Sequence, residues 1–170
     1  DSLRSMRAPE TAFDTLRTET PDAAETHRDA PASFTLAVGG DTVLGYNLQD
    51  HFDAQLAAGR TREEMFPLYF AGVRPILDAA DLALVNLECP FTERGVKLPK
   101  NFNFRARPEL VEVLLRGGVD VVTLANNHIR DFGDASVLDT IATLDRAGIA
   151  HFGAGRNLRA ARRPRIVERN

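Results

Sequence analysis

VVTLANNH, residues 121–128, is an apolar run that ends in two carboxamides and an imidazole. The pattern predicts a buried strand at 119–124, with Asn126, Asn127 and His128 following its carboxyl end. In an open α/β sheet, ligands bind beyond the carboxyl ends of the strands. The alternative interpretation is a turn with a helix cap, because Asn is favoured in both.

Two earlier apolar runs end in the same way. FTLAV at 34–38 is followed by Gly-Gly-Asp41, and LALV at 82–85 is followed by Asn-Leu-Glu88. We predict strands at 34–38 and 82–86, and the intervals between the strands are long enough for helical crossovers. Parallel strands end at one edge of a sheet, so Asp41, Glu88 and the Asn-Asn-His turn are expected to face one crevice.

The side chains at these strand ends form a set of oxygen and nitrogen donors. Asp41 and Glu88 supply carboxylates, Asn127 an amide oxygen and His128 an imidazole. Such ligands suit Mn, Mg, Fe or Zn. The sequence therefore predicts a site for one or two divalent metal ions, although Asp and Asn also follow many strands that bind no ligand.

The rest of the chain alternates between predicted helices and strands. The fold class is α/β, with a mostly parallel sheet and flanking helices. Apolar spacing and glycine or proline stops predict the following further elements: helices at 44–58, at 66–80 with a kink or break at Pro75, at 108–116, and at 135–147 with Asp134 as its cap, a short strand at 101–104 and a fourth strand at 149–152.

Four motifs together resemble the bacterial capsule-synthesis family of CapA-like proteins, a branch that is similar to the calcineurin-like metallophosphoesterases. They occur in the family's order and cover about 34–167. The motifs are Gly40–Gly45, Asn86–Pro90, Leu124–His128 with Asp131 and Gly133, and Gly153–Asn157.

The resemblance implies a role for each matching residue. Asp41 and Glu88 would bind metal through their carboxylates, and Asn127 would bind it through its side-chain oxygen. His128 would be the catalytic acid or anion stabiliser, and Asp131 would orient it. The implied architecture is approximately the first half of an αββα sandwich, so one face of the sheet is expected to be apolar and poorly covered.

Four further residues are expected to support the site or to contact substrate: Asn86, Asn126, Gly153 and Gly155. The Gly-Ala-Gly turn at 153–155 could admit a phosphate, but close packing is the favoured interpretation. It lacks the third glycine of a dinucleotide-binding fingerprint, which argues against a doubly wound nucleotide-binding domain.

The implied function is poly-γ-glutamate capsule biosynthesis or export with a metal-dependent hydrolase site. The substrate would be a phosphoester or an anionic polymer, and the capsule-synthesis machinery would be a partner. The alternative is a polymer-binding or assembly factor without catalysis. Family members carry further His-containing motifs beyond the position of Asn170, so the site is expected to be incomplete and this chain to be inactive by itself.

Composition limits the other function classes. The 170 residues are 44% hydrophobic with a net charge of −3, which gives no indication of a nucleic-acid partner. We expect residues 1–33 to form a flexible tail and 34–170 to form the N-terminal part of the family's domain. No signal peptide or membrane span is visible, so membrane association would need a segment not present here. The resemblance implies a location in the cell envelope or outside the cytoplasm.

Overall fold

The computed structural model describes residues 33–168, so nearly all of the predicted tail at 1–33 lies outside the described residues. A four-stranded sheet forms the centre of the fold. Its strands lie in the order β1-β2-β3-β4 and are all parallel, which confirms the predicted α/β class. The strands are β1 Leu36–Thr42, β2 Leu82–Leu87, β3 Val121–Thr123 and β4 Ala150–Phe152.

Helical segments connect the strands. Most are short, and the one between β3 and β4 is the longest. They are α1 Asn47–Ala57, α2 Arg62–Met65, a 3₁₀ helix Phe66–Phe70, α3 Arg74–Asp78, a 3₁₀ helix Pro108–Leu110, α4 Val111–Gly117, α5 Asp134–Ala147 and α6 Leu158–Ala161. The helix predicted over 66–80 with a kink or break at Pro75 is broken, and the break lies at 71–73, just before that proline. Pro67 and Pro75 each occupy a first helical turn, and their missing N–H groups divide the region into separate elements.

The ends of α5 show which helix signals are reliable. Gly148 ends the helix in the left-handed conformation with φ 73°, as its position predicts. The predicted capping role of Asp134 is wrong, since Asp134 is the first helical residue and the preceding Gly133 provides no side-chain cap. The predicted strand at 101–104 is also absent. This segment is irregular, and the chain there pairs only through an isolated bridge between Phe91 and Ala106.

Strand β1 is longer than predicted and contains an irregularity. It continues through the two glycines to Thr42, so Asp41 lies within the strand. Val38 pairs with Leu84 and Asp41 with Asn86, which leaves one extra residue in β1 between the two pairs. Side chains alternate along a strand, so this bulge turns Asp41 to the same face as Asn86.

The two faces of the sheet differ in burial. On one face, Ala83, Val85, Leu87 and Val122 are buried in the same core as Phe52, Leu114 and Leu144 of the helices. On the other face, Leu36 is 49% exposed and Val38 is 65% exposed. Their register partners Leu82 and Leu84 are half-buried. The prediction of an apolar, poorly covered face is therefore confirmed on the β1 side of the sheet, whereas Val121 of β3, which pairs with Leu84, is buried. Among the described helices, none is long and apolar enough to cross a membrane.

Candidate functional site

The predicted site lies at the carboxyl edge of β1, β2 and β3, where a chain of amide hydrogen bonds joins the three strands. Asn86 Nδ2 donates to Asp41 Oδ1 at 2.7 Å. Asn126 Nδ2 donates to Asn86 Oδ1 at 3.0 Å and to the carbonyl oxygen of Leu87 at 2.9 Å. Asn86 and Asn126 therefore hold the Asp41 strand and the His128 turn at a fixed separation.

Asn126 also shapes the turn that follows it. Its Oδ1 accepts the backbone N–H groups of His128 and Ile129, both at 3.0 Å. This arrangement is the side-chain mimic of a backbone turn for which Asn is suited. The turn interpretation of the Asn-Asn-His stretch is therefore correct for Asn126. The turn interpretation does not account for the side chains of Asn127 and His128.

The carboxyl groups of Asp41 and Glu88 shift each other's pKa. The hydrogen bond from Asn86 and then the contact with Glu88 lower the pKa of Asp41. Burial, followed by the contact with Asp41, raises the pKa of Glu88. Two carboxylates at contact distance repel when both are ionised, and a bound cation would relieve this repulsion. The pair therefore fits the chemistry of a divalent metal site.

His128 and Asp131 form the second part of the site. His128 is 9% exposed, and its Nδ1 lies 2.8 Å from Asp131 Oδ2. Asp131 has no exposed surface, and its Oδ2 also accepts the Phe104 N–H at 2.6 Å. The Phe104 ring packs on the imidazole with centroids 4.3 Å apart. The predicted His128–Asp131 partnership is therefore present in the structure.

Lys100 is a site residue that the sequence did not indicate. Its Nζ forms an ion pair with Asp131, donates to the carbonyl oxygen of Asn127 at 2.9 Å and lies 3.4 Å from His128 Nδ1. Lys100 belongs to the irregular segment between β2 and α4, which also supplies Phe104. Neither residue has a spacing that relates it to the strand ends. A basic residue within a long loop before the Asn-Asn-His turn was the only signal available.

The side chain of Asn127 is placed differently from its neighbours. The residue is exposed, and its backbone carbonyl contacts Lys100. Within residues 33–168, no hydrogen bond engages its amide group, so the amide oxygen is available to a ligand. Asn127, the third candidate ligand, therefore lies on the turn next to His128 and is not part of the Asp41–Glu88 pair.

Gly153 and Gly155 act through close packing. Gly153 has φ +92°, and a Cβ there would lie 2.7 Å from the Cβ of Ala125, just before Asn126. A Cβ on Gly155 would lie 2.6 Å from the Cβ of Ala160. The loop after β4 therefore packs against Ala125, the residue that precedes the Asn-Asn-His turn. These contacts match the packing interpretation of the glycine turn.

Cys89 follows Glu88 but points into the core. It has no exposed surface, and its Sγ accepts the Leu44 N–H at 3.2 Å. Burial raises the pKa of the thiol to about 11. Within residues 33–168, no group of three or more His, Cys, Asp and Glu side chains is arranged to hold a metal ion. The described residues thus supply two carboxylates and one amide oxygen, which are part of the ligand set of a metal site.

The parallel α/β fold and the polar cluster at its carboxyl edge are consistent with part of a metallophosphoesterase-like domain. The chain belongs to the bacterial capsule synthesis protein family PGA_cap, whose profile matches residues 35–170. This match confirms the resemblance that the four sequence motifs indicate.

Individual relatives match a shorter stretch. A probable polyglutamine synthesis accessory protein of Mycobacterium tuberculosis is 43% identical over 90 residues, which is 52% of this chain and 24% of the relative. The capsule biosynthesis protein CapA of Bacillus anthracis is 33% identical over 94 residues, 53% of this chain and 23% of the relative. The PGA biosynthesis protein CapA of Bacillus subtilis is 31% identical over 96 residues, 55% of this chain and 25% of the relative. The matched stretch thus spans about a quarter of the length of these relatives.

Proposed function

We propose that this chain contributes part of a metal-dependent hydrolase site to a protein of poly-γ-glutamate capsule biosynthesis. The observation that carries the proposal is the contact between the Asp41 and Glu88 carboxyl groups beside the His128–Asp131 pair. The names of the relatives support the capsule role. A location in the cell envelope follows from that role and is part of the proposal.

Asp41 and Glu88 would hold one or two divalent ions, and Asn127 would add its amide oxygen. When bound, such an ion lowers the pKa of a coordinated water and so supplies hydroxide near neutral pH. The pKa of Glu88 is raised, and Glu88 would lose its proton when the metal ion binds, because metal ligands must be deprotonated. Asn86 would keep Asp41 oriented through the hydrogen bond it already donates.

His128 would act on the leaving group of the substrate. Its Nδ1 is engaged by Asp131, which leaves Nε2 as the ring nitrogen for proton transfer or for stabilising developing negative charge. The ring is fixed by Phe104 and by the turn that Asn126 forms. Fixed geometry of this kind is what proton transfer requires of a catalytic acid.

The proposed substrate is a phosphoester or an amide within an anionic polymer such as poly-γ-glutamate, acted on in contact with the capsule-synthesis machinery. Phosphorus and carbonyl centres both accept attack by hydroxide, so the residues of the site are compatible with either bond. An assay must therefore offer both kinds of substrate.

Calorimetric titration with Mn²⁺ tests the proposal without relying on activity. We expect Asp41→Asn and Glu88→Gln each to weaken Mn²⁺ affinity by about tenfold or more, since each removes a ligand charge. Asp50→Asn is the matched control, because Asp50 is an exposed carboxylate on α1 that is not among the proposed ligands. Equal Mn²⁺ affinity in all four proteins would refute the metal site. Hydrolysis of p-nitrophenyl phosphate and of a γ-linked glutamate oligomer then tests turnover.

A polymer-binding or assembly factor without catalysis is the second candidate. The name of the mycobacterial relative describes an accessory role, and the described residues provide fewer than three His, Cys, Asp or Glu ligands at the site. This function predicts retention of a γ-linked glutamate oligomer without hydrolysis, even when Mn²⁺ is bound. Hydrolysis lost in Asp41→Asn would instead support the enzyme.

A further inference from the structure

The environment of Asp131 requires a cation. Asp131 is fully buried, and a buried carboxylate remains ionised only when it is paired and hydrogen-bonded. Its Oδ2 faces the Phe104 N–H and His128 Nδ1. Its Oδ1 forms the ion pair with Lys100 and has no partner aligned for a hydrogen bond within residues 33–168, so the ammonium compensates it by charge. Lys100 therefore places a positive charge beside the buried carboxyl group of Asp131.

The contacts of His128 Nδ1 then select one tautomer of the ring. An ammonium can only donate hydrogen bonds, whereas an ionised carboxylate can only accept them. Nδ1 lies 2.8 Å from Asp131 Oδ2 and 3.4 Å from Lys100 Nζ. The shorter contact is a hydrogen bond only if Nδ1 carries the proton. Nε2 is then the unprotonated nitrogen of the neutral ring.

Lys100 is itself held by the fold. Its Nζ donates to the carbonyl oxygen of Asn127, and its own carbonyl accepts Asn103 Nδ2 at 2.9 Å. Two residues earlier, the Leu98 N–H donates to the carbonyl oxygen of Asp131 at 2.9 Å. These hydrogen bonds join the loop that carries Lys100 to the backbone of Asn127 and to the backbone of Asp131.

We propose that Lys100 is a positioning residue that holds Asp131 as the anionic acceptor for His128 Nδ1–H and so presents Nε2 to the crevice beside Asp41 and Glu88. Lys100 acts through Asp131. The catalytic consequence of this role rests on the proposed hydrolase function, whereas its effect on the imidazole tautomer does not.

Nitrogen NMR of the His128 ring tests the tautomer directly. At alkaline pH, where imidazole is neutral, the unmodified chain should show one protonated and one unprotonated ring nitrogen with well-separated ¹⁵N shifts, assigned through loss of the signals in His128→Asn. In Lys100→Met and Lys100→Gln the two shifts should move towards the average of both tautomers. Lys97→Met is the control, because Lys97 is exposed in the same segment and should leave the shifts unchanged.

Folding is measured in parallel by thermal denaturation. If Lys100→Met does not fold, Lys100→Gln decides, since its amide can still donate a hydrogen bond but carries no charge. Unchanged His128 shifts in a folded, uncharged variant would overturn the proposal. Lys100→Arg keeps the positive charge and should retain the separated shifts. The proposal would also be overturned if the His128 shifts were averaged in both Lys100→Arg and Lys97→Met.

Turnover separates the positioning role from the proposed function. If the unmodified protein hydrolyses p-nitrophenyl phosphate, Lys100→Met should lower kcat by about 10- to 100-fold and change KM by less than about threefold, as expected for loss of a residue that orients a catalytic group. Equal kcat values for Lys100→Met and Lys97→Met would contradict the proposal. Absence of hydrolysis in the unmodified protein is the result expected if this chain supplies only part of the site, and the NMR result then decides the role of Lys100.

Discussion

Asp131 shows how one residue links the stability of the turn to its chemistry. Its side chain has no exposed surface and contacts Lys100, His128 and the Phe104 N–H. Removing one partner of such a group leaves the others buried without compensation, which costs more than the pair contributes by being present. The residues around His128 are therefore expected to lose stability together.

Asp131→Asn should lower the free energy of unfolding by about 2–4 kcal/mol, because the Lys100 charge would then lie beside a neutral amide. Urea denaturation followed by circular dichroism measures the loss. Asp134→Asn is the control, since Asp134 is 82% exposed and pairs with Arg130 on the surface, where an ion pair contributes at most about 1 kcal/mol. Similar losses in the two variants would show that Asp131 is not the buried centre of this network.

At the scale of single residues, the sequence predicts the residues at the strand ends better than the residues that hold them in place. Asp41, Glu88 and His128 follow apolar runs, and the rule that parallel strands end together is sufficient to expect them near one another. Lys100 and Phe104 reach the site through an irregular loop. Their positions depend on tertiary contacts with Asp131 that no local pattern encodes, so no sequence pattern assigns them to the site.

At the scale of elements, the bulge in β1 decides where Asp41 points. The apolar run at 34–38 predicts a strand, but the glycines after it were expected to end that strand. Instead they continue the pairing with one extra residue, and Asp41 comes opposite Asn86. The presence of a strand was thus predictable from hydrophobicity, whereas its length and register depended on pairing with β2.

The irregular segment between β2 and α4 is attached to helix α5 by a polar contact. Asp139 of α5 accepts hydrogen bonds from Arg94 Nε at 3.1 Å and from Thr92 Oγ1 at 2.6 Å. The hydrogen bond from Arg94, with a smaller effect from Thr92, holds the pKa of Asp139 below its usual value. Because the native state binds this proton more weakly than the unfolded chain, Asp139 stabilises the fold above the unfolded pKa near 4.

Asp139→Asn should therefore lower the free energy of unfolding by about 1 kcal/mol at pH 7, a modest value because Arg94 is 70% exposed. The difference from the unmodified protein should shrink as the pH falls from about 4 through the lowered native pKa. Denaturation curves at several pH values measure it. Glu112→Gln, which removes an exposed i,i+4 pair with Arg116, should have little effect at any pH. A pH-independent loss in Asp139→Asn would contradict this account.

At the scale of the whole molecule, the helices cover one face of the sheet far better than the other. Helical spacing and buried strands are local signals, so the sequence predicts the α/β class and the parallel sheet. The order of helices between β1 and β2 was less predictable, because two prolines divide a stretch whose apolar spacing suits a single helix. The exposed face was expected only from the family resemblance, since apolar spacing does not say what covers a strand.

That exposed face should make the chain associate with itself. Leu36 and Val38 lie on edge strand β1, whose outer backbone edge pairs with no strand among residues 33–168 and adjoins these exposed apolar side chains. Leu36→Thr with Val38→Thr places β-branched residues, which suit a strand, at both positions and removes apolar surface that is already about half exposed, so the stability change should stay within about 1 kcal/mol. In sedimentation velocity, the rise of the average sedimentation coefficient with protein concentration should be much smaller for this double variant. Val96→Thr, at a loop position 81% exposed, should leave the rise unchanged. Equal concentration dependence in all three proteins would show that this face does not drive association.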